Sequence, residues 1–144
     1  MVHIDFMDRY GIQAQALSVS DPGFEFLTKT EAAEMSRYCN TYTADLFKRH
    51  PTRFGGLAVL PMRDTTAALR ELEYALDTLH HDWVGLLSAY EGAYLGDPRF
   101  EPLMLAQCRS AYVFVHPAAI PADAKPELPL PDFLEEFTFE NPRK

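Results

Sequence analysis

The sequence predicts an α/β fold built on parallel strands, on three observations. Strand-like and helix-like segments alternate at the spacing of βαβ units, which are joined by right-handed crossovers. The strand segments that open at Phe54, Trp83 and Ala111 are almost wholly apolar, as in a sheet covered on both faces or the wall of a barrel. The last of them, Tyr112-Val113-Phe114-Val115-His116-Pro117, carries a histidine to its C-terminal end just before a proline stops it. Chemistry in parallel α/β folds collects at that end of the strands, where a metal or substrate would lie.

Each element has its own signal. Ile12–Val19, entered through Gly11, is the first strand, and Asp21-Pro22-Gly23 breaks the chain after it. A long helix is expected from about Thr30 to Arg49. Thr28 with Glu31 has capping-box spacing, and Thr30 is an alternative cap. Met35, Cys39, Tyr42 and Leu46 recur at helical spacing and mark its expected core face. His50-Pro51 closes it, because the residue before proline is driven out of helical geometry. Phe54–Pro61 is the second strand. The next helix starts near Asp64-Thr65-Thr66 and aligns Leu69, Leu72, Leu76 and Leu79, with Arg70, Glu71, Glu73 and Asp77 on the solvated side. Trp83–Ala89 is the third strand. Asp97 caps and Pro98 opens a short helix that reaches Cys108, and Ala111–Val115 is the fourth strand. A proline-rich stretch follows, with one further amphipathic piece at Pro131–Phe139.

The 144 residues fit one domain, and a 47% hydrophobic content can fill its core. A net charge of -8 with scattered lysines and arginines argues against nucleic acid and anionic membrane as partners. The N-terminus has no signal-peptide pattern, and no run approaches the ~20 apolar residues of a membrane span. Cys39 and Cys108 are far apart and outside any CxxC motif. They are expected as reduced core thiols of a cytoplasmic protein, with a single disulfide as the alternative.

The other residues with chemical potential have plainer roles. His80-His81 and His50 sit at helix C-termini, where imidazoles suit the dipole. Ser18 and Ser20 are strand-end serines of the kind that satisfy a turn. Tyr38, Tyr42 and Tyr90 are candidate substrate walls, although Tyr42 falls on the expected core stripe. Trp83, at the start of a buried strand, reads as packing.

An ordered series of short motifs resembles the amidohydrolase-related decarboxylases, the family of aminocarboxymuconate-semialdehyde decarboxylase and γ-resorcylate decarboxylase. The series runs Met7-Asp8-Arg9-Tyr10-Gly11-Ile12, Leu17-Ser18-Val19-Ser20-Asp21-Pro22-Gly23, His50-Pro51-Thr52-Arg53-Phe54-Gly55-Gly56-Leu57-Ala58 and Leu60-Pro61. It continues through Tyr94-Leu95-Gly96-Asp97-Pro98-Arg99-Phe100-Glu101-Pro102-Leu103, Val113-Phe114-Val115-His116-Pro117 and Leu130–Glu136. The resemblance implies a (β/α)8 barrel with a divalent metal, commonly zinc, at its mouth. His116 would be the metal ligand that ends the fifth strand, and residues 12–115 would supply the second to fifth strands.

Two departures shape what is expected of this chain. The family opens with a His-x-His or Glu-x-His pair, which is missing before Met7, where His3 stands alone. The family also adds a later histidine and aspartate, whereas here no histidine follows His116 and Asp123 and Asp132 come too soon. The expectation is therefore half a barrel: residues 1–144 as a single partial domain of four parallel strands with outer helices. By resemblance it is a truncated member of a metal-dependent family that decarboxylates or hydrolyses small aromatic or muconic acids, and it is inactive alone. The alternatives are half of a split enzyme completed by another chain, or a non-enzymatic α/β interaction module. Two open strand edges and a bare inner wall predict association with itself or with a complementing chain.

Overall fold

The computed structural model describes residues 2–107 and 111–118. Helix α1 (Val2–Arg9) leads into strand β1 (Gln15–Leu17), followed by α2 (Lys29–Arg49), β2 (Phe54–Val59), α3 (Thr65–Glu73) and β3 (Trp83–Leu87). A small hairpin of β4 (Ala89–Tyr90) and β5 (Ala93–Tyr94) precedes α4 (Glu101–Gln107) and the last strand, β6 (Tyr112–His116). Strands β1, β2, β3 and β6 form one sheet in that order, every pair parallel. The expected four parallel strands with crossover helices are present. The segment Pro131–Phe139 and residues Cys108, Asp123 and Asp132 lie outside the described residues.

Residues paired across parallel strands share a face, and neighbours along a strand alternate. Ala58, Leu60, Val84 and Leu86 therefore turn toward the helices, where they pack with Ala68, Leu72, Ala75, Phe100 and Leu103 in the main core. The other face carries Leu57, Val59, Trp83, Leu87, Tyr112, Phe114 and His116. On that face Trp83, Tyr112 and Phe114 are 44%, 77% and 53% exposed, so an apolar inner wall is laid open.

Helix α2 is held at both ends. The Thr28 hydroxyl accepts from the Glu31 N–H, and the Thr28 N–H donates back to the Glu31 carboxylate at 2.9 Å. The same contacts hold the Glu31 carboxyl below its usual range. Thr28, and not Thr30, is the cap. His50 ends the helix ahead of Pro51, its N–H donating to the Leu46 carbonyl.

The core face of α2 differs from the expected stripe. Leu46 is buried as expected, together with Ala32, Ser36, Asn40 and Ala44, whereas Met35 and Tyr42 are 41% and 51% exposed and Cys39 is half-buried. Small side chains at four-residue spacing let the helix lie close to the sheet, which rotates its inward face by one residue from the larger apolar positions. The approach is tight at Gly56, where a Cβ would stand 2.7 Å from Phe47 Cζ.

Asn40 also explains why Glu71 is buried and not solvated as expected. Strand β1 pairs with β2 only as far as Gly56, which leaves Val59 without a strand on that side. The Asn40 carboxamide takes its place: Nδ2 donates to the Val59 carbonyl and Oδ1 accepts from the Val59 N–H, both at 2.9 Å. Its second amide hydrogen goes to Glu71 Oε1 at 2.8 Å. Arg37 Nε closes the network on Glu71 Oε2 at 2.8 Å, with the guanidinium 3.5 Å over the Tyr74 ring.

Helix α3 begins where expected, and Asp64 is its cap, accepting from the Ala67 N–H. The single helix expected through Leu79 instead widens into a π turn at Tyr74–Thr78. His80, at φ 60, then redirects the chain toward β3. His81 is buried: its Nε2 is 3.0 Å from the Thr43 hydroxyl and its ring lies edge-on to Phe47. Its Nδ1 is buried with no hydrogen-bond partner among the described residues. Asp97 and Pro98 start the next helical segment as anticipated, through a 3-10 turn, Pro98–Phe100.

Two predictions follow from this packing. Replacing Asn40 by alanine strands the Val59 backbone groups and one Glu71 oxygen, so the stability read from the urea midpoint should fall by about 2–4 kcal/mol. Burial lowers the His81 pKa from its ordinary 6.5, so the unfolded chain takes up the proton first on acidification. Stability should hold above pH 6.5 and decline as the pH falls below it, and His81→Phe should flatten that slope in denaturation measured across pH.

Candidate functional site

The C-terminal ends of the four strands lie side by side, and His116 is the histidine among them. It ends β6 directly opposite Leu87 of β3 and is half-buried. Its Nδ1 lies 2.6 Å from the Pro117 carbonyl. A carbonyl oxygen only accepts, so Nδ1 carries a proton, and it is Nε2 that offers a lone pair whenever the ring is neutral. An imidazole held in this way, with a backbone carbonyl on one nitrogen, has the arrangement of a metal ligand or a proton acceptor.

Ser88 builds the ledge under this histidine. Its N–H donates to the His116 carbonyl at 2.9 Å, and its hydroxyl accepts from the Ala118 N–H at 3.0 Å. The second contact bends the chain after Pro117 back over the end of β3. The third strand accordingly stops at Leu87, and the stretch expected to continue it through Ala89 breaks away as the hairpin. Glu91 and Gly92, at φ 47 and 72, form its two-residue turn, the pattern of a type I′ connection.

The remaining candidates are scattered. Ser18 and Ser20 follow β1 at the same end as His116 and are exposed. Trp83, paired with Tyr112, stands on the inner face at the opposite end of β3. His3, hydrogen-bonded to Gln15 at 2.6 Å, and His50 both lie beside the Phe54 ring at the start of β2. His80 is exposed just ahead of β3, and His81 is in the core. Tyr38 and Tyr42 stack on each other on α2 with rings 6.4 Å apart, and both line a small cavity with Ser18 and Val19 beside the end of β1. Tyr90 is buried, its oxygen accepting from the Leu87 N–H at 2.6 Å, and burial pushes its phenol pKa up. It supports the strand end and remains protonated. Burial likewise raises the Cys39 thiol, which makes it a poor nucleophile.

Among the described residues no three His, Cys, Asp or Glu side chains come together as a metal site. A catalytic zinc takes about three protein ligands. The described residues therefore do not fit a complete metal centre. Nor is any described helix long and apolar enough to cross a membrane.

Sequence reasoning missed Ser88, whose role depends on two contacts that a serine inside an apolar run does not announce. Replacing Ser88 by alanine should cost about 1–2 kcal/mol and speed hydrogen exchange at the Ala118 amide, measured by NMR.

Comparison with known proteins places this geometry. No family model matches the chain. A decarboxylase of Aspergillus niger, yanB, is 39% identical over 142 residues, an alignment covering 89% of this chain and 39% of the relative. The γ-resorcylate decarboxylase of a Polaromonas species is 33% identical over 132 residues, again 89% of this chain and 39% of the relative. The 5-carboxyvanillate decarboxylase of Novosphingobium aromaticivorans, solved with manganese and 4-hydroxy-3-methoxy-5-nitrobenzoic acid, superposes with a TM-score of 0.79. That match is 26% identical and covers 85% of this chain and 36% of that one. The chain thus spans about two fifths of the length of the relatives it matches.

Proposed function

Because the chain is homologous to part of the amidohydrolase-fold decarboxylases, we propose that its strands are the second to fifth of a (β/α)8 barrel that decarboxylates a small aromatic carboxylic acid. Residues 1–144 would then be one partial barrel domain. The observation that carries this reading is His116, at a strand end, with Nδ1 tied to a backbone carbonyl and Nε2 left for a ligand. In that barrel His116 is one ligand of a divalent cation. Zinc suits imidazole, and the manganese in the 5-carboxyvanillate decarboxylase is its competitor.

Decarboxylation is favoured over hydrolysis because the similar curated proteins are decarboxylases. The reaction breaks the bond between ring carbon and carboxylate, and the ring carbon takes up a proton. No step is assigned to the described residues, because the other ligands and the proton donor belong to strands beyond them. The exposed inner wall of Trp83, Tyr112 and Phe114 supports the same view, since a closed barrel covers that face. The cover is supplied by the further strands of that barrel. A cytoplasmic location is in keeping with the free Cys39 thiol.

The test joins this chain to the remaining strands of the Aspergillus niger relative and measures metal content and carbon dioxide release from γ-resorcylate and 6-methylsalicylate. Near-stoichiometric metal and turnover are expected in the joined protein and not in the chain alone. His116→Ala should lower metal affinity at least about tenfold, since loss of a mere supporting contact already costs 10–100-fold. Full metal and turnover in the His116→Ala form would overturn the assignment.

A further inference from the structure

An ionic clamp joins three of the loops that surround the His116 end of the sheet. Arg63, in the turn between β2 and α3, places Nε 2.9 Å from the Glu91 carboxylate, and its Nη1 donates to the Leu27 carbonyl. Glu91 stands at the tip of the β4–β5 hairpin, and its backbone N–H donates to Glu25 Oε1 at 2.7 Å. Glu25 and Leu27 belong to the loop that leads from β1 into α2. That loop's own backbone bonds, Gly23 to Ser20, Glu25 to Pro22 and Leu27 to Phe24, are local turns that tie it only to itself. Arg63 and Glu91 are what fasten its distal half to the neighbouring loops.

The loop lies against the site. Gly23, at φ +59, packs so closely on Leu87 that a Cβ there would stand 3.2 Å from Leu87 Cδ1. Leu87 is the register partner of His116, so the two share the inner face. The segment around Gly23 is therefore a wall of the mouth beside the histidine.

We propose that Arg63 is a positioning residue: by pinning the β1–α2 loop to the hairpin tip it sets the wall next to His116, so that the ion pair governs access to the mouth. The pair is partly exposed, with Arg63 and Glu91 side chains 30% and 40% accessible, so salt weakens it. The meaning of that access for a carboxylic-acid substrate rests on the decarboxylase reading, whereas the clamp itself does not.

Hydrogen exchange followed by mass spectrometry on the full chain tests the clamp. In Arg63→Ala, peptides spanning residues 20–27 should exchange about tenfold faster, the factor carried by one charge-assisted hydrogen bond. Peptides of β2 and β3 that exchange by local opening should stay unchanged, and the urea midpoint should fall by no more than that tenfold factor. Arg63→Lys keeps the charge without the forked donors and should fall between, and molar salt should reproduce part of the effect in the unaltered chain. Unchanged exchange at 20–27 in Arg63→Ala would overturn the proposal. So would a uniform acceleration with a midpoint lowered beyond that factor, which would make Arg63 a general stabiliser. Exchange reads the loop and not turnover, so this result and the metal and activity measurements can fail independently.

Discussion

The Asn40 carboxamide is the contact on which the arrangement of this sheet depends. It stands where a strand would otherwise run, satisfying both backbone groups of Val59 with the geometry of a peptide bond. A buried backbone donor or acceptor left unpaired costs about 1–3 kcal/mol, so a strand can be short only if something else meets its neighbour's needs. Here the substitute comes from a helix, and it ties α2, β2 and α3 together through Glu71. Burying the Glu71 carboxylate is tolerable because Asn40 and Arg37 each give it a hydrogen bond.

From that constraint the two faces of the sheet acquire different characters. The helix side is close-packed around Val84, Leu86, Phe100 and Leu103, all nearly inaccessible. The inner side grades from exposed aromatic rings at the start of the strands to a histidine at their ends. The other four histidines of the chain serve helix ends, ring contacts or the core.

Much of this was legible in the sequence where one residue type has one physical use. The capping box at Thr28, the helix start near Asp64, the Asp97 cap, the halt at Pro51 and the histidine closing an apolar strand were all visible, because each signal is local. The parts that were not legible depend on partners distant in sequence. Glu71 looks solvated on a helical wheel, and only Asn40, 31 residues away, makes its burial affordable. The inward face of α2 was misplaced because large apolar residues were given more weight than the small ones that set a close approach. The break at Ser88 sits inside an apolar run and becomes a strand end only when the chain after His116 folds back onto it. Glu91-Gly92 is a weak turn signal beside Asn-Gly or Asp-Gly, so nothing local marks the hairpin.

The brevity of β1 has a consequence for how such a barrel can vary. Three more residues in register would compete with Asn40 for Val59, evicting the carboxamide and leaving Glu71 Oε1 without its partner beneath the helix. The same extension would carry residues 18–20 straight onward, away from the turn that sets Gly23 against Leu87. That contact depends on the ladder ending early, so a longer first strand would need a different segment to pack on Leu87.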